Sequence, residues 1–172
     1  TLTELGLAGA VYMMFAHGLL SPAMFMIAGT MMHQLGTRDI PKLGGLAQKQ
    51  PYTATLFVVI FLGSLGLPGM ATFVAELSVF VAFFQSHGYW LLLPISGMVL
   101  TAGYHLWALQ RSVFGPLSKK VDIEKVHEAP WYEQWPLFII VTLAVLFGVL
   151  PQLLMSPVTV ACYDILRLMG GV

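Results

Sequence analysis

The sequence is short of charged residues and of cysteine, and each shortage excludes a class of protein. Only 9% of the 172 residues are charged, 58% are hydrophobic, and the formal net charge is zero. Soluble domains carry roughly 25% charged residues, so this composition is typical of a membrane protein. No excess of basic residues indicates a nucleic-acid partner. The single cysteine, Cys162, excludes an internal disulfide and cannot by itself hold an iron–sulfur cluster.

Four apolar segments are each long enough to cross a bilayer, which takes about 20 helical residues. They lie at residues 7–32, 52–84, 89–113 and 135–154. The tail at residues 156–172 is predicted to form a short surface helix. The sequence therefore predicts an all-α polytopic membrane protein, with residues 1–172 as a single membrane domain. Because the chain starts at Thr1 without an initiator Met or a basic signal region, we expect it to be a fragment of a longer protein.

The second apolar segment is predicted to be broken near residues 67–70. As one straight helix it would be about 50 Å long, which exceeds the ~30 Å of hydrocarbon in a bilayer. Leu67, Pro68 and Gly69 interrupt it, and a proline removes a backbone donor and clashes with the preceding helical turn. Freed backbone groups are tolerated in hydrocarbon only where protein buries them or where they line a wet cavity. Many ion transporters build their midplane site from such a broken helix and a nearby ionisable group.

Glu76 follows the predicted break and is the only acid within the apolar segments away from their ends. A charged side chain at a helix centre costs about 2.5–3.5 kcal/mol on insertion scales. Burial disfavours the ionised carboxylate, which allows such a group to exchange protons at working pH. The alternative is a neutral glutamic acid that is fixed in the helix packing by hydrogen bonds. The adjacent break favours a proton site.

Two histidines lie inside apolar segments. His17 is near the middle of the first, with Ser21 one turn later on the same face, and His105 is in the third. Imidazole titrates near pH ~6.5 and can pass a proton between its two nitrogens, so either histidine could extend a proton path. Each could instead be a neutral histidine within the helix packing. A third interpretation makes both of them axial ligands of a haem in a membrane anchor that transports nothing.

The basic residues of the chain concentrate in two loops, at residues 35–50 and 111–130, and the connection between the second and third segments has none. Four alternating crossings place both loops on the same side of the membrane. Short loops rich in Lys and Arg remain in the cytoplasm, so the sequence predicts that both loops are cytoplasmic.

Five short motifs together resemble one family of membrane proteins. They are His17-Gly18-Leu19 with Ala23-Met24-Phe25, Thr37-Arg38-Asp39, Gly44-Gly45-Leu46, Leu67-Pro68-Gly69, and Phe73-Val74-Ala75-Glu76. The chain resembles the antiporter-like proton-pumping subunits of respiratory complex I, and most of all the M type, the counterpart of mitochondrial subunit 4. The resemblance covers nearly the whole chain, which would correspond to the C-terminal four transmembrane helices of these longer proteins.

The resemblance implies a fold of two inverted repeats of five helices, each with one discontinuous helix. It implies that Glu76 is the terminal proton site of the second half-channel and that His17 belongs to the hydrophilic axis leading to it. The related L and antiporter subunits often carry Lys where this chain has Ser21, and the L and N subunits usually carry Lys in place of Glu76. Both differences favour the M type, and the resemblance assigns no role to His105.

The resemblance also implies a setting. The chain would be a subunit, without a redox site of its own, of a proton-translocating NADH (or related donor):quinone oxidoreductase in a prokaryotic cytoplasmic or mitochondrial inner membrane. It would lie among other membrane-arm subunits and lipid, with its basic loops on the cytoplasmic or matrix side. It would bind no cofactor, while quinone, flavin or deazaflavin and iron–sulfur clusters would belong to other subunits. Subunits of multisubunit sodium/proton antiporters and of membrane-bound hydrogenases are the related alternatives.

Overall fold

The computed structural model describes residues 2–116 and 126–169, and the regular elements within them are helices. The α-helices in chain order are α1 (Glu4–Leu35), α2 (Leu46–Lys49), α3 (Pro51–Ser64), α4 (Ala71–His87), α5 (Leu92–Ser112), α6 (Trp131–Val149) and α7 (Gln152–Leu168). Two 3-10 turns, Ile40–Lys42 and Gly88–Leu91, precede α2 and α5. Three stretches are long and apolar enough to cross a membrane, namely Glu4–Leu35, Ala71–Ser112 and Trp131–Val149, and Pro51–Ser64 is a shorter apolar helix. The predicted all-α membrane fold is confirmed.

Helix α1 is the central helix of the bundle. The Thr3 hydroxyl accepts a hydrogen bond from the Gly6 amide at its N-terminus, and Gly36, with φ 65°, ends it in the left-handed conformation. One face is buried along nearly the whole length and packs against α3, α4, α6 and α7. The buried apolar residues of this face recur every three or four positions: Ala8, Tyr12, Ala16, Leu20, Ala23, Ile27 and Met31.

Helices α3 and α4 are the two halves of the second apolar segment. Residues 65–70 belong to neither helix, so the predicted discontinuity is confirmed, and Leu67, Pro68 and Gly69 lie within it. Gly66 and Gly69 adopt φ of 78° and 92°, which L-residues with a Cβ rarely adopt. The Thr72 hydroxyl donates to the carbonyl of Gly63 and so joins the first turn of α4 to the last turn of α3. We refer to residues 65–70 as the break.

The described parts of the two basic loops meet at one end of the bundle, which we call the loop end. The Gly45 amide donates to the Phe114 carbonyl at 3.2 Å, and the Gln50 side chain donates to the His127 carbonyl at 2.6 Å. His33, near the end of α1, contacts Glu133, near the start of α6, at 2.5 Å. Successive crossings therefore alternate in direction. Three lysines of the second loop, Lys119, Lys120 and Lys125, lie outside the described residues.

The C-terminal region differs in its boundaries from the sequence prediction. The fourth segment, predicted at residues 135–154, forms α6 from Trp131 to Val149, because Pro151 follows and the chain turns there into α7. The predicted tail helix is α7, which begins at Gln152 rather than at residue 156. It packs against α1, and its buried residues are Cys162 and Leu166.

Candidate functional site

The Glu76 side chain packs against the backbone of the break. A Cβ added to Gly66 would overlap the Oε2 atom of Glu76, so a side chain at position 66 and the carboxylate compete for the same space. Side chains on a helix lean toward its N-terminus, and the Glu76 carboxyl therefore leans back along α4 to the break. The sequence predicted an acid that follows a helix break, and the structure places its carboxyl group within the break.

The Glu76 carboxyl group lacks the partners that a permanent anion would need. The residue is half-buried, and its Oε2 atom is buried without a hydrogen-bond partner among the described residues. The two ion pairs found among the described residues involve Glu133 and Asp39 and not Glu76. A buried charged oxygen without a partner is strongly unfavourable. The position therefore suits a carboxyl group that takes up a proton, or one that is served by water or by a group beyond the described residues.

Helix α6 packs against the break, and α1 is hydrogen-bonded to α6 beside that contact. Gly148 of α6 lies so close to the break that a Cβ there would overlap the Gly69 carbonyl group. One residue earlier, the Phe147 carbonyl accepts a hydrogen bond of 2.6 Å from the hydroxyl of Tyr12, a fully buried residue of α1. The backbone of the break is therefore packed directly against α6, and the Tyr12 hydrogen bond joins that part of α6 to α1.

His105 of α5 lies at the other edge of the break. Its side chain is buried, with Nδ1 3.0 Å from the Thr101 carbonyl oxygen and Nε2 3.1 Å from the Ser64 hydroxyl oxygen. Ser64 is the last residue of α3 and also donates to the Phe61 carbonyl at 2.8 Å. The structure thus brings His105 and Glu76, from two different helices, to the same break.

His17 has a different environment. Its side chain is exposed and makes no hydrogen bond within the described part of the chain. The preceding residue, Ala16, packs against Ala71 and Ala75 of α4, so His17 lies at the level of the break. The structure therefore joins His17 to neither Glu76 nor His105 by a hydrogen bond.

Ser21, one turn after His17, lines a cavity of about 380 Å³ that is bounded by α1, α3, α5 and the turn Ile40–Lys42. Arg38 lines the cavity at the loop end, and Phe61, the ring neighbour of His105, lines it toward the break. Most of the lining is apolar, with hydroxyl groups from Ser21 and Ser112.

Several residues of the site were not found by sequence reasoning. Gly66, Ser64, Tyr12 and Gly148 all shape the break, yet only the first carried a signal. Glycine recurs at positions 63, 66 and 69, which is the spacing of a chain that makes close backbone contacts along an interrupted helix. The other three act through partners remote in the sequence, and a single sequence does not reveal such pairs.

The family can now be stated from comparison with known proteins. The family model described as NADH:quinone oxidoreductase/Mrp antiporter, TM matches residues 1–101. This chain belongs to that family. It is 38% identical over 152 residues to the F(420)H(2) dehydrogenase subunit M of Methanosarcina mazei, covering 88% of this chain and 30% of the relative. It is 33% identical over 148 residues to the NADH-quinone oxidoreductase subunit M of Rhodobacter capsulatus, covering 86% of this chain and 29% of that protein.

Solved structures agree with this assignment. A chain of respiratory complex I from Thermus thermophilus with bound NADH matches at a TM-score of 0.84 and 25% identity, over 95% of this chain and 34% of the other. A chain of the Mrp complex from Dietzia sp. DQ12-45-1b matches at a TM-score of 0.83 and 17% identity, over 94% of this chain and 38% of the other, which shows a shared fold. The chain spans about a third of the length of the relatives it matches. The resemblance to antiporter-like M-type subunits is confirmed.

Proposed function

We propose that this chain acts in a proton-translocating, antiporter-like membrane subunit of a complex I-type oxidoreductase, which couples electron transfer elsewhere in the complex to proton pumping. One observation carries the proposal. In an apolar helix that is broken at its middle, the Glu76 carboxyl group occupies the break, and its buried oxygen has no hydrogen-bond partner among the residues that the structure describes. The names of the relatives support the setting, since they are M subunits of such oxidoreductases.

Glu76 is the proton-carrying group in this proposal. A change of charge or conformation along the membrane arm changes the potential at the break, and Glu76 takes up or releases a proton in response. Moving one charge across 100 mV requires about 2.3 kcal/mol, which corresponds to between one and two pKa units. Charges a few ångströms apart inside a protein interact with about this energy, so electrostatic coupling is sufficient to drive the step.

His17 and Ser21 are proposed to belong to a hydrophilic path that leads to Glu76. The positions of the two residues support this role. Ala16, the neighbour of His17, packs on α4 beside the break, and Ser21 lines the cavity between α1, α3 and α5. Since His17 is exposed, its partners in this path would be contributed from outside the described residues. Replacement of His17 by Ala is expected to give a milder defect than replacement of Glu76.

The proposal includes an orientation and a set of partners. The loops at residues 35–50 and 111–130 face the cytoplasm or matrix, since basic loops remain on that side. Large apolar side chains exposed on the helices, such as Phe25 and Leu100, contact lipid or other membrane-arm subunits. The chain itself supplies no redox site, and quinone, flavin or deazaflavin and iron–sulfur clusters act in other subunits.

A multisubunit sodium/proton antiporter is the second candidate, because the fold also matches a chain of the Mrp complex. In a subunit of a membrane-bound hydrogenase, the break and Glu76 would have the same role, and only the electron donor of the complex would differ. The haem-anchor alternative has less support, since both ring nitrogens of His105 are engaged in hydrogen bonds.

The test replaces Glu76 by Gln in the assembled complex. Glu76→Gln keeps the shape of the side chain but removes its exchangeable charge, so we expect proton transport per electron to fall by at least about tenfold. Inverted membrane vesicles energised with the electron donor report proton uptake by a pH-sensitive dye, while donor oxidation is followed separately. The control is Asp164→Asn, which alters an exposed acid of α7.

Two results would count against the proposal. Normal proton transport by an assembled Glu76→Gln complex would exclude this residue as the proton site. Sodium-dependent transport that needs no electron donor would favour the antiporter candidate instead.

A further inference from the structure

We propose that the cavity of about 380 Å³ between α1, α3 and α5, which we call the groove, binds one anionic phospholipid. One acyl chain of the lipid lies in the groove, and its phosphate group contacts Arg38. The ligand is a component of the membrane, so the inference does not depend on the role of Glu76. It follows from the dimensions of the groove, the chemistry of its walls and the charge at one of its ends.

The groove is about as long as one leaflet of a bilayer is thick. The α1 residues that line it run from Ser21 to Met31, which is about 15 Å of helix at ~1.5 Å per residue. The hydrocarbon core of a bilayer is about 30 Å thick, so each leaflet contributes about 15 Å. Since α1 ends at Leu35 and Arg38 lines the groove beyond that end, the groove occupies the leaflet at the loop end. An acyl chain of this leaflet matches the groove in length.

The groove is too narrow for a helix of a partner protein. A volume of about 380 Å³ spread over about 15 Å gives a mean cross-section of about 25 Å². A helix with a diameter of about 10 Å needs roughly 80 Å². An extended peptide is thinner, but it would bring unpaired backbone N–H and C=O groups into an apolar environment, which is strongly unfavourable within a membrane. A single alkyl chain, which has no polar groups, meets both requirements.

The walls of the groove suit an alkyl chain. Most of them are formed by the apolar side chains of two methionines and three phenylalanines, namely Met24, Met31, Phe25, Phe57 and Phe61. Methionine side chains are unbranched and adapt their shape to irregular neighbours. Of the two lining hydroxyl groups, that of Ser112 already donates to the Ala108 carbonyl at 2.7 Å, and Ser21 is the lining residue of α1 farthest from the loop end. A chain that enters from the loop end therefore meets apolar surface along most of its length.

Arg38 supplies the charged end of the site. Its side chain is exposed and lines the groove at the loop end, where the headgroups of the leaflet lie. The two ion pairs found among residues 2–116 and 126–169 do not include Arg38, and the neighbouring acid, Asp39, is held by Lys42 at 2.6 Å. A guanidinium group binds phosphate oxygens through two parallel N–H donors. The positive charge of Arg38 thus complements the phosphate of a lipid whose chain lies in the groove.

The headgroup decides which phospholipid is retained. Lipid tails are as apolar as the groove, so burial of an acyl chain gives little preference for one phospholipid over another. A basic residue near the membrane surface attracts anionic lipid by about 1 kcal/mol, which corresponds to about fivefold in binding. A zwitterionic headgroup places its own cation beside Arg38 and loses this attraction. We therefore expect the site to prefer phosphatidylglycerol over phosphatidylcholine with the same acyl chains.

The experiment labels the groove with photoactivatable lipids in the purified, assembled complex. Phosphatidylglycerol and phosphatidylcholine that carry a diazirine on the same acyl chain are added separately, and the labelled residues are located and quantified by mass spectrometry. We expect phosphatidylglycerol to label residues 21–31 of α1 about fivefold more than phosphatidylcholine does. Arg38→Gln removes the charge and should reduce the labelling by phosphatidylglycerol to the level of phosphatidylcholine. Ala28→Phe places a ring in the groove and should reduce the labelling by both lipids.

Two matched controls change residues outside the groove. Arg111→Gln removes another arginine at the loop end, one that stacks on Trp107, and Ala10→Phe adds a ring at an exposed position of α1. Both should leave the labelling of residues 21–31 unchanged.

Three results would overturn the inference. Absence of label from residues 21–31 in the wild-type complex would show that the groove holds no lipid chain. Equal labelling by the two lipids in the wild type would exclude selection by an anionic headgroup, and this comparison needs no variant to assemble. Equal losses in Arg38→Gln and Arg111→Gln would show a general effect of surface charge and no site at Arg38.

Discussion

The two ends of α3 each meet a carboxylate, and their environments are opposite. At the loop end, Glu128 accepts hydrogen bonds from the Tyr52 amide at 3.1 Å and from the Thr53 amide at 2.9 Å. Its Oε1 atom also accepts from the Thr53 hydroxyl at 2.5 Å and from the Gln134 amide group at 3.2 Å. At the break, by contrast, the Oε2 atom of Glu76 is buried without a partner in the part of the chain that the structure describes.

Under the proposed function, the difference separates an acid that stabilises the fold from the acid that carries the proton. Glu128 accepts hydrogen bonds from the free amides at the N-terminus of α3, and these bonds tie the segment before α6 to α3. Among residues 2–116 and 126–169, the Oε2 atom of Glu76 has no such donor. An acid of the first kind stabilises the fold, and one of the second kind can change its protonation during turnover.

The largest effect is expected from Gly66→Ala. The new Cβ would overlap the Glu76 carboxyl group and would also force a positive φ on an L-residue, which costs about 1–2 kcal/mol by itself. We expect proton transport to fall by about tenfold or more as the carboxyl group is displaced from the break. Transport and the yield of assembled complex would both be measured.

Gly69→Ala is the matched control, since Gly69 has φ 92° but no atom within 4 Å of an added Cβ. It carries the backbone strain without the overlap. If Gly69→Ala and Gly66→Ala impair transport equally, the contact with Glu76 has no special importance.

A smaller and different effect is expected from Glu128→Gln. Loss of the charged cap should destabilise the complex by about 1–2 kcal/mol, the usual range for a helix N-cap and its dipole interaction. Thermal unfolding of the purified complex should shift to lower temperature, while proton transport per assembled complex stays close to wild type. A transport defect as large as that of Glu76→Gln would remove the distinction between the two acids.

The sequence alone was sufficient to predict the membrane crossings and the break in the second one. Apolar length defined the segments, and Pro68 with the excess length of the second segment indicated the discontinuity, because few other solutions are available to backbone groups in hydrocarbon. The ends of the helices were harder to predict from the sequence. The turn at Pro151 divides an apolar run that the sequence predicted as part of one crossing. The structure shows that the residues after this turn form a separate helix, α7, which packs against α1.

The candidate site was derived from the unusual position of an acid beyond a broken helix, which singled out Glu76, and the role of this residue in proton transfer is a proposal. Its contact with Gly66 depends on a side-chain rotamer and on the turn that residues 65–70 adopt, and neither follows from local sequence. The pairing of His105 with Ser64 joins residues 41 positions apart, which a single sequence does not reveal.

Isotope-edited infrared spectroscopy of the purified, assembled complex tests the central claim most directly, since it detects the protonated carboxyl group itself. The account predicts a protonated-carboxyl C=O band that changes with pH, disappears in Glu76→Gln and persists in Glu128→Gln. Identical pH-dependent carboxyl spectra for the wild type and Glu76→Gln would contradict it.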